Sequence, residues 1–264
     1  MPRRRLDAEL VHRGLARSRE QARALVEEGR VLLGGVVATK PATQVDPTAS
    51  VVVRAHPDGP DYVSRGAHKL VGALDAFGLD VAGRHALDAG ASTGGFTDVL
   101  LRRGVAAVLA VDVGYGQLAW PIRSDERVTV LERTNVRGLT VERLPFRPDL
   151  VVGDLSFISL ALVLPQLAAV ATDDADHVLM VKPQFEVGKD LVGAGGVVRD
   201  PALRSDAVRR IAAAALGLGL GTVGVVASPL PGPSGNVEYF LHLRRGAAPL
   251  DESALARAIE EGPP

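Results

Sequence analysis

Hydrophobic and polar positions divide the chain of 264 residues into a short first segment and a longer second one. In the first segment, apolar residues recur at helical spacing between Leu6 and Leu15 and again across residues 19–28, where Ser18 is placed to cap the second helix. Three short apolar runs follow, at 31–33, 36–37 and 51–53. Two glycines separate the first two runs, which is typical of a tight hairpin. The pattern predicts two helices packed on a small sheet.

From Ser64 onward, apolar runs alternate with amphipathic stretches. The runs predict strands at 85–88, 107–112, 128–131, 150–154, 177–181, 222–227 and 237–243. The stretches predict helices at 66–77, 95–102, 159–171 and 200–216. Apolar strands separated by helices indicate a mostly parallel sheet covered on both faces, hence an α/β doubly wound, Rossmann-like fold. No helix separates the last two runs, so we expect the last strand to be antiparallel, as in the methyltransferase variant of this fold.

Composition and charge suggest two domains of different character. The segment Ala55–Asp61 contains two prolines and a glycine, and we expect domains at 1–54 and 64–264 joined by a linker at 55–63. The first 57 residues contain ten Lys and Arg against six Asp and Glu, whereas the whole chain has a net charge of −1. A small basic α+β domain favours docking on a polyanion, and an ordinary solvated surface is the alternative that charge alone leaves open.

Several classes of protein are excluded or disfavoured by composition. The absence of Cys excludes disulfides, thiolate metal sites and Cys nucleophiles, and the six histidines show no ligand spacing, so no metal site is expected. Two uncharged stretches, 155–172 and 211–237, are interrupted by Gly and Pro, which disfavours a membrane span. We therefore expect a cytoplasmic protein, with a monomer favoured.

The basic segment resembles a known RNA-binding fold. Its Arg4-Arg5-Leu6-Asp7, Ser18-Arg19 and Lys40-Pro41 sequences, together with the glycines between them, are similar to the small fold named after a small-subunit ribosomal protein and shared with pseudouridine synthases and tyrosyl-tRNA synthetases. The resemblance implies that five basic residues face structured RNA: Arg4, Arg17, Arg19, Arg23 and Lys40. They would neutralise phosphates, which positions a protein without reading bases. Arg30 is expected to be a solvated surface residue instead.

A glycine loop follows the first strand of the second domain, in Asp88-Ala89-Gly90-Ala91-Ser92-Thr93-Gly94-Gly95. Its G-x-x-x-G-G spacing departs from the pyrophosphate fingerprint, and it lacks a Walker lysine. Asp112 ends the second strand, where a carboxylate can accept both hydroxyls of a ribose. Nicotinamide cofactors and S-adenosylmethionine both contain adenosine, so Asp112 alone does not separate them. The alternative for the glycines is a tight turn with no ligand.

Two charged residues end neighbouring strands and are candidates for chemistry. Asp154 follows the fourth strand and Lys182 the fifth, so both side chains should enter the crevice beyond the carboxyl ends. Placed near Asp154, Lys182 is a candidate acid/base, and a structural ion pair is the alternative. Lys69 and Glu238 taken alone are typical of a solvated lysine and a strand-edge acid.

Six segments together resemble the TlyA family of ribosomal-RNA methyltransferases, some of which are named hemolysins. They are Tyr62–Gly66, Asp88–Phe96, Val111–Leu118, Asp154–Ser159, Lys182–Glu186 and Gly235–Tyr239. The family modifies the 2′-hydroxyl of cytidine with S-adenosylmethionine, leaving S-adenosylhomocysteine. The wider superfamily uses a Lys-Asp-Lys-Glu set, and the matching residues here are Lys69, Asp154, Lys182 and Glu238.

The resemblance also implies cofactor contacts and partners. The methionine part of the cofactor would lie in the glycine loop, the ribose on Asp112, and the adenine near Asn135, which is otherwise a surface loop residue. The implied cofactor-binding set is Asp88, Gly90, Ser92, Thr93, Gly94, Gly95, Asp112 and Asn135. Ribosomal RNA or a ribosomal subunit is the expected partner. The alternatives are a non-catalytic RNA-binding protein, a membrane-active hemolysin and a nicotinamide oxidoreductase, which the loop spacing disfavours.

Overall fold

A computed structural model describes residues 3–16, 18–54 and 62–263, with the backbone alone described at Lys189. The chain divides into two units, Met1–Asp61 and Tyr62–Pro264. Arg17 and residues 55–61 of the expected linker lie outside the described residues. Tyr62 and Val63, which we assign to the linker from the sequence, contact the larger unit: Val63 N donates to Asp98 Oδ2 at 2.9 Å.

The first unit contains two helices and two small sheets within its described residues. Its elements are β1 (Arg4–Arg5), α1 (Leu6–His12), α2 (Arg19–Glu27), β2 (Val31–Leu33), β3 (Val36–Val37), β4 (Gln44–Val45) and β5 (Val51–Val53). Ser18 Oγ accepts from Gln21 N at 3.1 Å, so the predicted N-cap of α2 is confirmed. The hairpin β2–β3 is confirmed as well, and β5 pairs with the other edge of β2.

Arg30 is not the solvated residue that the sequence led us to expect. It is 8% exposed, and its guanidinium donates to the Arg54 carbonyl at 3.0 and 3.1 Å. The residue lies directly before β2, where the chain of β5 returns alongside it, and Arg54 N donates in turn to the Arg30 carbonyl at 2.8 Å. Arg30 therefore closes the end of this sheet.

The second unit alternates strands and helices, as predicted. Its strands are β6 (His85–Ala89), β7 (Ala107–Val111), β8 (Val128–Leu131), β9 (Leu150–Gly153), β10 (Asp176–Val181), β11 (Leu220–Ala227) and β12 (Tyr239–Arg245). Its helices are α3 (Gly66–Phe77), α4 (Gly95–Arg102), α5 (Trp120–Arg123), α6 (Leu164–Val170), α7 (Pro183–Glu186), α8 (Pro201–Leu216) and α9 (Glu252–Glu260). Short 3₁₀ turns occur at Val136–Gly138, Val141–Arg143, Leu160–Leu162, Lys189–Leu191 and Ala194–Gly196.

One predicted helix is divided in two. We expect a helix at 159–171, but a 3₁₀ turn at Leu160–Leu162 precedes α6, which begins at Leu164. Pro165 lies in the first turn of α6, where its missing N–H is not needed, and it cannot continue a helix from the residues before it.

Residues 62–263 form a seven-stranded sheet in the order β11-β12-β10-β9-β6-β7-β8. The strands from β10 through β8 are parallel, whereas β12 is antiparallel to both of its neighbours. The doubly wound sheet and its antiparallel last strand are thus confirmed. Alternate residues of the central strands enter opposite cores, with Leu87 and Val151 on one face and Ala86 and Val152 on the other. None of the helices in the described part of the chain combines the length and the apolar character that a membrane span requires.

Candidate active site

The register of the sheet brings three of the predicted site residues to one edge. Val181 of β10 lies opposite Tyr239 of β12, so Lys182 and Glu238 occupy adjoining positions just beyond this pair. Asp154 follows β9, the other neighbour of β10, and its N–H donates to the Ala89 carbonyl at 3.1 Å. A parallel sheet with one antiparallel insertion therefore places these side chains at a single edge.

Lys182 is held by two groups from the segment after β9. Its Nζ lies 2.5 Å from Asp154 Oδ1 and donates to Ser156 Oγ at 2.8 Å. The side chain is largely buried, and a buried ammonium requires such partners because removing it from water is costly. Lys182 is thus fixed in position by a carboxylate and a hydroxyl.

Lys69 and Glu238 form a second pair. Lys69 Nζ donates to Glu238 Oε2 at 2.5 Å, and the two residues are only 8% and 1% exposed. Lys69 lies in α3, so the pair connects this helix to the end of the sheet. Gly232 accommodates the carboxylate, because a Cβ there would lie 2.6 Å from Glu238 Oε1. The solvated lysine and the strand-edge acid that each residue suggests alone are both wrong.

Glu186 fixes the far end of the segment after β9. Its carboxylate accepts from Ser159 Oγ at 2.5 Å and from Leu160 N at 2.8 Å. Burial raises the pKa of this carboxyl, and the two hydrogen bonds oppose that effect. Lys182 therefore holds the start of the loop formed by residues 154–160, and Glu186 holds its end. We name this loop the Asp154 loop.

The middle of the Asp154 loop is exposed and strained. Phe157 has a φ of +62°, which is rare for a bulky residue, and it is 91% exposed. Its ring contacts that of Phe185 with centroids 5.2 Å apart. Strained backbone of this kind persists only where the surroundings determine it, and the contacts of Lys182 and Glu186 at the loop ends supply that constraint.

A cavity of about 410 Å³ lies beside the Asp154 loop. Four of the predicted cofactor residues line it: Gly90, Ser92, Asp112 and Asn135. Asp154 and Ser156 line it too, so the cavity adjoins the groups that hold Lys182. Its volume falls within the range of small-molecule sites.

Asp112 is oriented by backbone groups. Oδ2 accepts from Ser92 N at 2.8 Å and Oδ1 from Gly114 N at 2.7 Å. Each carboxylate oxygen has a further lone pair, so Asp112 can still accept from two hydroxyls of a ligand. Asn135 lines the cavity, and its Oδ1 accepts from Arg137 N at 3.0 Å, so its NH₂ group is the part of the side chain that can donate to a ligand.

Gly90 allows the glycine loop to approach the Asp154 loop closely. Its φ is +87°, and a Cβ there would lie 2.9 Å from the Asp154 carbonyl oxygen. Gly94 and Gly95 instead accommodate protein side chains, since a Cβ at Gly94 would lie 2.9 Å from Leu118 and one at Gly95 would collide with Ser64. Gly94 is the N-cap of α4 and Gly95 its first residue, and neither these two glycines nor Thr93 before them line the cavity.

Asp88, near the end of β6, is fully buried. Thr97 Oγ1 donates to its Oδ2 at 2.6 Å, while Oδ1 has no hydrogen-bond partner among the described residues. Burial raises the pKa of Asp88 to about 7, with the carboxylates of Asp154 and Asp112 adding to the rise. Asp88 is therefore a buried support of the glycine loop and does not line the cavity.

Sequence reasoning assigned no role to Ser156, Phe157 or Glu186. All three occur in motifs that follow a buried strand, and this position indicates that they lie near the ligand-binding end of the sheet. Their contacts join residues 26 to 28 positions apart, and no local spacing encodes them. Among the described residues, no group of three or more His, Asp or Glu is arranged to hold a metal ion.

The predicted RNA-facing residues of the first unit are exposed where they are described. The side chains of Arg4, Arg19 and Arg23 are 45%, 55% and 55% exposed, and Lys40 is exposed too. Arg4 pairs with Glu9 at 3.5 Å. Arg19 and Arg23 both contact Asp7.

Comparison with known proteins matches both units. Residues 62–245 match the FtsJ-like methyltransferase family, and residues 4–51 match the S4 domain. The 16S/23S rRNA (cytidine-2′-O)-methyltransferase TlyA of Mycobacterium tuberculosis is 62% identical over 98% of both chains. Hemolysin A of Brachyspira hyodysenteriae is 35% identical over 90% of this chain and 98% of its own.

Solved structures agree with this assignment. A hemolysin-named structure from Streptococcus thermophilus superposes with a TM-score of 0.75 at 37% identity, covering 99% of this chain and 97% of that one. Another, from Lactococcus lactis, gives a TM-score of 0.73 at 41% identity over 76% of this chain and 97% of its own. With its S4 domain followed by an FtsJ-like methyltransferase domain, the chain belongs to the TlyA family of ribosomal-RNA methyltransferases.

Proposed function

We propose that this protein transfers a methyl group from S-adenosylmethionine to the ribose 2′-hydroxyl of a cytidine in ribosomal RNA. The observation that carries the proposal is the position of Lys182, held between Asp154 and Ser156, two residues that also line the 410 Å³ cavity. The M. tuberculosis relative is named for this reaction. Since ribosomal RNA is the substrate, the cytoplasm is the proposed site of the activity.

The residues around the cavity fit the proposed cofactor. Asp112, oriented by two backbone N–H groups, would accept hydrogen bonds from the ribose hydroxyls, and the Asn135 amide would meet the adenine. Gly90 lines the cavity, and its lack of a Cβ lets the glycine loop lie close to the Asp154 loop, which lines the cavity too. When bound, S-adenosylmethionine supplies a methyl group already activated on a positively charged sulfur.

The charged residues at the sheet edge would prepare the ribose hydroxyl, which is a poor nucleophile until its proton is displaced. The Lys182 ammonium, fixed by Asp154 and Ser156, would stabilise the developing alkoxide, and the hydroxyl proton would pass to the Asp154 carboxylate or to water. Lys69, paired with Glu238, adds positive potential and orients the hydroxyl. In-line attack requires oxygen and carbon at about 3 Å, so rigid placement of these side chains supplies much of the acceleration.

The first unit would hold the RNA. Arg4, Arg19, Arg23 and Lys40 present exposed cations, and we assign phosphate contacts to them and to Arg17. Such contacts fix the register of an RNA without reading its sequence, so selection of one cytidine would fall to the methyltransferase unit.

Transfer of tritium from labelled S-adenosylmethionine to ribosomal RNA tests the proposal. Wild-type protein should label the RNA, and mass spectrometry of the digested RNA should find 2′-O-methylcytidine. Label on a base, or RNA binding without any label, would contradict the proposed reaction.

Two variants separate the chemistry from cofactor binding. Lys182→Ala should abolish labelling while the calorimetric isotherm for S-adenosylmethionine stays close to wild type. Asp112→Ala should lower the affinity for S-adenosylmethionine about tenfold or more, because a hydrogen bond to a charged group contributes roughly 1.5–3 kcal/mol. Turnover preserved in the first variant would remove Lys182 from the mechanism, and an unchanged isotherm in the second would remove Asp112 from the cofactor site.

A further inference from the structure

Asp7 is a fully buried carboxylate to which three arginines converge. Its Oδ1 accepts from Arg5 Nε at 3.1 Å and from Ala8 N at 2.8 Å. Its Oδ2 lies 2.9 Å from Arg5 Nη2, 3.1 Å from Arg19 Nη2 and 3.5 Å from Arg23 Nε. Arg5 belongs to β1 and the other two arginines to α2, so one carboxylate gathers guanidinium groups from two elements.

The charges in this cluster do not balance. One negative charge faces three positive ones, and the side chains of Arg5, Arg19 and Arg23 are 42%, 55% and 55% exposed while Asp7 is 0% exposed. An ion pair that only joined two elements would need one arginine. The cluster instead presents an excess of two positive charges at the surface.

Arg13 shows what a structural arginine looks like in the same unit. Its guanidinium donates to Glu9 at 2.8 Å and to the carbonyls of Ala49 and Pro47 at 2.7 and 2.9 Å, and its side chain is 24% exposed. Arg19 and Arg23 each have five N–H donors, and in the described residues the contact recorded for each is with Asp7. Since both side chains are 55% exposed, donors that do not contact Asp7 are available to a ligand.

We propose that Asp7 is a positioning residue that holds Arg5, Arg19 and Arg23 as a preformed clamp for the phosphodiester groups of folded RNA. This inference rests on the proposed function, since RNA is the partner. Without the carboxylate the three guanidinium groups would repel one another and lose their common orientation. With it, the loss of side-chain freedom occurs when the protein folds and not when it binds RNA.

The ionisation of Asp7 suits this role. The hydrogen bond from Arg5 holds the pKa of Asp7 well below its usual range, against the opposing effect of burial, and Arg19 lowers it further. The carboxylate is therefore charged at any pH at which RNA is intact, and the clamp does not switch off with pH.

Binding of labelled 16S and 23S ribosomal-RNA transcripts by the full chain, measured over a series of salt concentrations, tests the clamp. Asp7→Asn should bind several-fold more weakly and reduce the slope of log K against log salt by about 1–2, the equivalent of one or two phosphate contacts. This outcome is informative because the substitution makes the protein more positive, which by itself would strengthen binding. Asp46→Asn is the matched control: it makes the same change in charge at an exposed carboxylate whose side-chain hydrogen bonds are with Thr48.

A double-mutant cycle distinguishes positioning from a general effect on the fold. In an Arg19→Ala, Arg23→Ala background, Asp7→Asn should cost little further affinity, because two of the residues through which it acts are gone. An equal loss in both backgrounds, or Asp7→Asn binding as tightly as Asp46→Asn, would overturn the proposal. Failure of the wild-type protein to bind either transcript would instead count against the proposed function.

A second variant decides the matter if Asp7→Asn does not fold. Arg19→Lys with Arg23→Lys retains Asp7 and every charge but removes the planar fork of each guanidinium. The clamp predicts weaker binding than wild type at equal charge. Binding indistinguishable from wild type would show that charge alone matters and would overturn the role of Asp7.

Discussion

Glu238 Oε2 accepts a hydrogen bond from Lys69 Nζ at 2.5 Å, although the two residues are 169 positions apart in the chain. Both are buried, one in α3 and the other directly before β12. The pair connects the first helix of the methyltransferase unit to the last strand of its sheet. If the pair also serves the proposed reaction, stability and activity depend on the same contact, and experiment can separate the two.

Removing one partner of this pair should impair both properties. Glu238→Leu leaves a buried ammonium unpaired and should lower the free energy of unfolding by about 3–5 kcal/mol, as at other buried ion pairs. Methylation should fall by about 10²–10³-fold, the usual cost of losing one group that stabilises developing charge. Denaturant unfolding and tritium transfer measure the two effects.

Replacing both partners tells the two effects apart. Lys69→Met with Glu238→Leu should recover much of the lost stability, because well-packed apolar residues often substitute for a buried ion pair at no cost. Activity should stay low. Recovery of methylation along with stability would mean that the pair serves the fold alone.

Gly90→Ala should damage the cofactor cavity. The substitution imposes a φ of +87° on alanine and brings a Cβ to 2.9 Å from the Asp154 carbonyl. We expect a loss of about 1–3 kcal/mol in stability from the strained backbone, and additionally weaker binding of S-adenosylmethionine as the Asp154 loop is displaced. Calorimetry and denaturant unfolding measure both.

Gly104→Ala is the matched control for that prediction. Its φ is +79°, but the nearest atom to a Cβ there is 3.9 Å away, so it carries the strain without the collision. It should lose stability while binding the cofactor as wild type does. Equal cofactor binding by both variants would contradict the close approach at Gly90.

Glu186→Ala should loosen the Asp154 loop. The loop loses the acceptor for Ser159 Oγ and Leu160 N, and the buried N–H is left without its partner. Cofactor affinity and kcat should both fall, because residues 154–158 line the cavity. A loss of about 1.4 kcal/mol, within the range for an unsatisfied buried donor, corresponds to about tenfold. Glu126→Gln, at an exposed glutamate of the same unit, should change neither. Wild-type kcat in Glu186→Ala would show that the loop holds its shape without this contact.

Asp88 predicts a pH dependence of stability. Burial raises its pKa from 3.8 to about 7, so between these values the folded protein binds a proton that the unfolded chain has lost. This group therefore makes the protein less stable as pH rises from about 4 to 7, with little further change above. Asp88→Asn removes that loss, so its stability relative to wild type should be greater at pH 8 than at pH 5. Urea unfolding at the two pH values measures this, and a relative stability equal at both would contradict the raised pKa.

The periodicity of apolar residues predicts most of the helices and strands, but it predicts fewer of the contacts in the candidate active site. Helix α3 begins and ends where its apolar spacing predicts, and Asp154 and Lys182 are recognisable because each ends a buried strand. The pairing of Lys69 with Glu238 required the resemblance, since each residue alone looks like a surface charge. Folding also determines the burial of Arg30 and the contacts of Ser156 and Glu186, because their partners are distant in sequence.

The insertion of β12 between β10 and β11 has a consequence for protein synthesis. Strand β12 is synthesised after β10 and β11 and fills the gap between them, and the residue before it completes the pair with Lys69. A nascent chain released before residue 238 lacks this carboxylate and the strand that β10 and β11 both require. A premature stop codon late in the reading frame should therefore be as damaging as one near its start, even though Lys69, Asp154 and Lys182 have already been translated.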